Sequence, residues 1–139
     1  MKKSTRVAGF LGLAAALLLI TPAVAQQSTY TIRVPFQFSV GARAFPAGEY
    51  RVGAVAGQQV EIRSIDTAAS AMFATGFVSR SSRQPLNGQL VFHQYGTQYF
   101  LSQVWFEDMQ KGYQLPVSSN ERDYAKRTRG SDTILRARK

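Results

Sequence analysis

The chain holds one histidine, His93, and no cysteine among its 139 residues. Histidine is the side chain whose charge ordinarily changes near neutral pH, so His93 is the first place to look for proton transfer. A general base also needs a nucleophile and an orienting partner in reach. No serine of this chain sits in a G-x-S-x-G nucleophile elbow. Zinc normally takes three or four His, Cys or carboxylate ligands, which one histidine and no thiol do not supply. His93 therefore reads as a structural residue on a β-strand, packed against Phe100 and hydrogen-bonded to a neighbour. Glu107 and Asp108 are adjacent in a turn, and such neighbours point apart, whereas paired glycosidase acids face each other across about 5–9 Å. Glu49, Glu61 and Asp66 have no calcium-loop spacing, and Glu121 reads as a capping residue. The expectation is a chain with no catalytic residue, no metal and no cofactor, and not an enzyme.

Two residue sets could serve binding instead. Six Tyr, nine Phe and one Trp are many for so short a chain, and a core without disulfides needs large side chains. If some of them line a ligand pocket, Tyr95, Tyr99 and Trp105 are the first candidates, because polar-tipped aromatics suit half-wet walls. The second set is basic: Arg122, Lys126, Arg127, Arg129, Arg136, Arg138 and Lys139. Either they keep a solvated tail soluble, or they contact an acidic protein, a polysaccharide or an anionic lipid surface.

The elements that would position these residues are short strands. Tyr30, Ile32 and Val34 alternate with polar residues, as do Phe36, Phe38 and Val40, Tyr50 and Val52, and Val60 and Ile62. Pro35 places the first run at an edge or a bend. Pro46-Ala47-Gly48 is a turn in which glycine would take the left-handed position, and Ala56-Gly57-Gln58 is another. Residues 71–78 are almost continuously apolar, which fits a strand covered on both faces, with a buried helix as the alternative. Residues 79–88 are a polar loop. Residues 89–95 and 98–106 flank Gly96-Thr97, which predicts a two-residue type II′ hairpin. Its register sets Tyr95 opposite Gln98, His93 opposite Phe100 and Phe92 opposite Leu101. Leu90, Phe92, Tyr99 and Leu101 then share one face, and Val91, His93, Phe100 and Val104 the other. Both faces are apolar, so the hairpin should lie centrally in its sheet. Residues 113–117 offer a last short strand. Ser118-Ser119-Asn120-Glu121 looks like a capping box that opens a helix, with Gly130 as its stop. The fold class is all-β, an antiparallel sandwich or small up-and-down barrel with a short C-terminal helix.

The first 25 residues form an export signal. Lys2, Lys3 and Arg6 precede an uncharged apolar run of about 14 residues, shorter than the about 20 of a spanning helix. Ala23-Val24-Ala25 places cleavage after Ala25. The expected plan is a signal peptide over 1–25, an antiparallel β domain over 26–117, a helix over 118–130 and a mobile basic tail over 131–139. The mature protein would be periplasmic or secreted, with no transmembrane segment. The formal charge is +9, but three basic residues lie in the signal and seven in the last 19 residues. The body between them carries only +2, so the whole-chain charge does not argue for nucleic acid, and none is expected as a partner.

Val34-Pro35-Phe36-Gln37-Phe38, Pro46-Ala47-Gly48-Glu49-Tyr50, the run from Leu90 to Gly96 and the run from Tyr99 to Trp105 resemble a family of small exported proteins common in acidobacterial genomes. The likeness covers most of the mature chain, including the stretch from Leu115-Pro116 to Glu121, and is most specific in the second hairpin. It implies export and β architecture, and it assigns no catalytic or binding residue. The sequence thus points to a non-enzymatic exported interaction or structural module, or, as an alternative, to a carrier of a small apolar ligand in an aromatic-lined barrel.

Overall fold

The structure is a computed structural model, and it describes residues 27–79, 87–107 and 109–138. The signal segment with its Ala25 cleavage position, most of the polar loop, Asp108 and Lys139 lie outside the described residues. Among the described residues, eleven strands and one helix follow in order: β1 (Thr29–Val34), β2 (Phe38–Val40), β3 (Arg43–Phe45), β4 (Gly48–Val55), β5 (Gln59–Ser64), β6 (Ser70–Ala74), β7 (Gly76–Ser79), β8 (Gln89–Tyr95), β9 (Gln98–Trp105), β10 (Lys111–Gln114), α1 (Ser119–Arg127) and β11 (Gly130–Arg136). They form two sheets. The first has the order β1-β4-β5-β6, and the second has β11-β8-β9-β10-β7, with the β2–β3 hairpin joined to β9.

Period-two alternation decides which side chains meet between the sheets. Ile32, Val34, Tyr50, Val52, Val60 and Ile62 come from the first sheet, and Leu90, Phe92, Leu101 and Val104 from the second. Phe38 and Phe45, paired across the β2–β3 hairpin, plug one end. The result is a sandwich rather than a closed barrel. Its two open sides are managed differently. At one, the chain passes directly from β6 to β7 at Thr75, whose N–H and hydroxyl both donate to the Gln58 carbonyl at 2.9 and 2.8 Å. At the other, the Tyr30 hydroxyl reaches from β1 across to the Gln89 carbonyl at 3.1 Å.

Several expectations are corrected here. Residues 71–78 are not one doubly covered strand but the outermost strands of both sheets, and Met72 and Phe77 remain exposed. The switch of sheets at Thr75 puts each half at an edge. Gly48 is not left-handed; positive φ falls on Gly41, Gly57, Gly96 and Gln58. The 131–139 segment is not a mobile tail over its length. Gly130–Arg136 pairs with β8 residue for residue, and Ala137 is buried with its N–H on the Gly88 carbonyl at 2.8 Å. The helix closes at Arg127, with extended Thr128 as its cap, rather than at Gly130. Glycine is needed at 130 for another reason: a Cβ there would lie 2.6 Å from the Tyr95 ring.

Candidate functional site

Hairpin β8–β9 turns at Gly96, whose φ of +61° suits the first corner of a type II′ turn, and the pairs Tyr95–Gln98, His93–Phe100 and Phe92–Leu101 follow. Beyond Phe92 the register shifts: Val91 faces Gln103, and Ser102 has no partner on β8. This β-bulge changes which way the rest of β9 points. It turns Val104 inward to join Leu90 in the core, against the expected face. It also frees the Ser102 carbonyl, which accepts from the Leu115 N–H at 2.8 Å.

The outer face of the second sheet is covered by α1. Ser118 caps the helix, its hydroxyl accepting from the Glu121 N–H at 3.1 Å. Glu121 and Tyr124, at i and i+3, face the sheet, while Ala125 and Thr128 remain exposed. Tyr124 packs on Phe100 with ring centroids 5.7 Å apart. Glu121 does not fold back along its own helix; it reaches across to the sheet, where its carboxylate meets His93 Nδ1 at 2.5 Å and accepts from the Tyr95 hydroxyl at 3.3 Å. On the other side of the imidazole, Nε2 meets Ser102 Oγ at 3.0 Å.

The chain of contacts continues. Gln114 Nε2 donates to Ser102 Oγ at 3.2 Å, Gln103 Nε2 donates to Gln114 Oε1 at 3.0 Å, and Trp105 Nε1 donates to Gln103 Oε1 at 3.0 Å. Seven side chains from β8, β9, β10 and α1 thus form one polar relay on the outside of the sandwich. Such linked bonds reinforce one another when every member is satisfied. The hydrogen bond with Glu121 raises the His93 pKa above its ordinary value; burial opposes this, and the charges of Glu121 and Asp132 add to it.

Ser102, His93 and Glu121 have the connectivity of a nucleophile, a base and an orienting acid. The surroundings do not suit attack. Ser102 is 3% exposed, Gln114 already donates onto its hydroxyl, and the neighbouring cleft reaches His93 without reaching Ser102. Acyl transfer needs room at the hydroxyl for a carbonyl carbon and donors around its oxygen. The arrangement works as a clasp that holds α1 onto the sheet.

That cleft, about 300 Å³, lies where α1 gives way to β11. His93, Tyr95, Ala125, Thr128, Arg129 and Asp132 line it, with Gly130 and Ser131. Asp132, opposite His93 in the β8–β11 register, holds its carboxylate 3.9 Å from Nε2. Arg129 is exposed and has no ion-pair partner among the described residues.

The sequence candidates are distributed as follows. Tyr95 lines the cleft and ends the relay. Tyr99 points to the inner side, stacked on Phe36 at 3.8 Å. Trp105 is buried at the far end of the hairpin, about 20 Å from Tyr95 at ~3.3 Å per residue. The three therefore share no wall, although Trp105 and Tyr95 are the two ends of the relay. Arg122, Lys126, Arg127 and Arg129 are exposed on and just after α1. Arg122 and Lys126 are four apart and form a short basic stripe on α1, with Lys126 Nζ 3.7 Å from the Asp123 carboxylate, while Arg129 lies past the extended cap Thr128. Arg136 and Arg138 are exposed at the other end of β11, about 20 Å from Arg129. Sequence reasoning missed Ser102, Gln103, Gln114 and Asp132. The only local sign was a polar Ser-Gln pair interrupting the apolar run of β9.

Comparison with protein-family models, with curated proteins and with solved structures finds no match. No group of three or more His, Asp or Glu side chains among the described residues is placed to hold a metal ion.

Proposed function

We propose that this protein is a non-enzymatic interaction module, exported by its N-terminal signal, that docks an anionic partner on α1. The reading rests on one observation: Arg122 and Lys126 are exposed on a helix that Glu121 and His93 fix to the sheet, and exposed Arg129 follows directly after its cap. Holding the cations on an ordered helix removes part of the entropy cost that a flexible tail would bear on binding. The sequence of the first 25 residues and the resemblance to small exported β proteins support a partner outside the cytoplasm: an acidic polysaccharide, an anionic lipid surface or an acidic protein. A carrier role for an apolar ligand is less favoured, because the cleft beside the helix is lined by polar groups.

The double substitution Arg122→Glu with Lys126→Glu is expected to abolish retention on an anionic matrix at low salt, with the thermal midpoint nearly unchanged. Retention of the wild type should fall steeply with salt, as screening dictates. Unchanged retention of the double variant would remove α1 as the contact. The non-enzymatic part has its own check: Ser102 should stay unlabelled by a fluorophosphonate probe, and stoichiometric labelling at Ser102 would make the relay a nucleophile's.

A further inference from the structure

The cleft at the α1–β11 junction has a chemistry that a purely cationic docking patch lacks. Its Arg129 follows the helix cap Thr128, three residues beyond Lys126, so the cleft adjoins the C-terminal end of the basic helix. Beside it stand the Tyr95 ring, the hydroxyls of Thr128 and Ser131, and the Asp132 carboxylate, whose side chain is 66% exposed. Glu121, the other carboxylate nearby, is 4% exposed and engaged by His93 and Tyr95, so it is not offered to a ligand.

An open carboxylate decides among anionic partners. It repels a phosphate headgroup and gains nothing from a flat lipid surface. It accepts hydrogen bonds from vicinal hydroxyls, while a planar guanidinium forks onto a carboxylate. An aromatic ring with small hydroxyls around it suits a pyranose. The volume, about 300 Å³, is at the small end of the ~300–1,000 Å³ range of ligand sites and fits a short sugar segment better than a folded peptide.

We propose that this cleft is a subsite for one hexuronate residue of an acidic polysaccharide. Arg129 takes the sugar carboxylate, Asp132 and Ser131 take ring hydroxyls, and Tyr95 carries the ring. Arg122 and Lys126 neutralise carboxylates further along the same chain. The inference rests on the anionic-partner reading and narrows it to one class.

The test titrates a defined oligogalacturonate, its methyl-esterified neutral counterpart and anionic phosphatidylglycerol vesicles into the wild type, Asp132→Asn and Arg122→Glu/Lys126→Glu, with thermal midpoints confirming each fold. The sign of the Asp132→Asn effect is decisive. As a hydroxyl acceptor, its loss should weaken oligogalacturonate binding about tenfold, the worth of one hydrogen bond to a charged group. It should leave vesicle binding unchanged or stronger. Chemical-shift changes on the acidic oligomer should centre on Tyr95, Arg129 and Asp132 and be absent with the neutral one. If Asp132→Asn instead tightens oligogalacturonate binding or leaves it unchanged, charge alone is at work and the subsite is overturned, while the stripe survives. If neither anion binds the wild type, stripe and subsite fall together.

Discussion

Two faces of the same hairpin solve opposite problems. On the inner face of β8–β9, Leu90, Phe92, Leu101 and Val104 meet the first sheet in an apolar layer. On the outer face, His93 and Ser102 meet Glu121 under a nine-residue helix whose apolar contribution is little more than Tyr124. The inner layer is held by area removed from water, which needs no particular geometry. The outer contact is held by directional bonds to a carboxylate that is itself out of water, which is favourable only while its partners stay in place. The helix is therefore the conditional part of the molecule, and the basic stripe it carries inherits that dependence.

Substitutions on the two faces should separate these modes. The largest effect is expected inside: Phe92→Ala removes a fully buried ring that touches Phe36 and Phe38 and should cost about 3–5 kcal/mol by denaturant unfolding. Glu121→Ala should cost less, about 2–3 kcal/mol, since it strands His93 and Tyr95 without opening the core. It should also raise hydrogen exchange in α1 more than in β4 and β5. Equal exchange in helix and sheet would show that the clasp and the core unfold as one unit.

The smallest effect comes from pH. Because the folded state raises the His93 pKa, the folded protein holds this proton more tightly than the unfolded chain does. The clasp's contribution is thus complete below the ordinary histidine value of about 6.5 and fades as pH rises through the folded-state value. The thermal midpoint should decline over that interval in the wild type and stay flat in His93→Gln. A wild-type midpoint that rises there would mean that His93 is preferentially neutral in the fold.

How much of this was legible before folding depends on the range of the signal. Alternation in Tyr30–Val34, Tyr50–Val52 and Val60–Ile62, the Gly96 turn and the Ser118 cap all work within a few residues, and the structure has each of them. The alternation even gave the correct hairpin register as far as Phe92. The bulge at Ser102 was not visible, because a pattern of period two has no term for one extra residue. The inward turn of Val104 was lost with it.

Sequence alone determined the strand-rich class, the single core and the position of the basic residues, because composition and short-range periodicity are properties of neighbours along the chain. Only the tertiary structure decided that 130–136 is a strand, that Glu121 leaves its own helix end for His93, and that Arg129 and Asp132 share a cleft. The first two join residues about 30 to 45 positions apart through β8, and the third follows from them, since the cleft is closed by His93 and Tyr95 of β8. Ser131, Thr133 and Asp132 carry too little apolar surface to announce a strand by themselves. They become one because the open edge of β8 offers backbone donors and acceptors that must be satisfied.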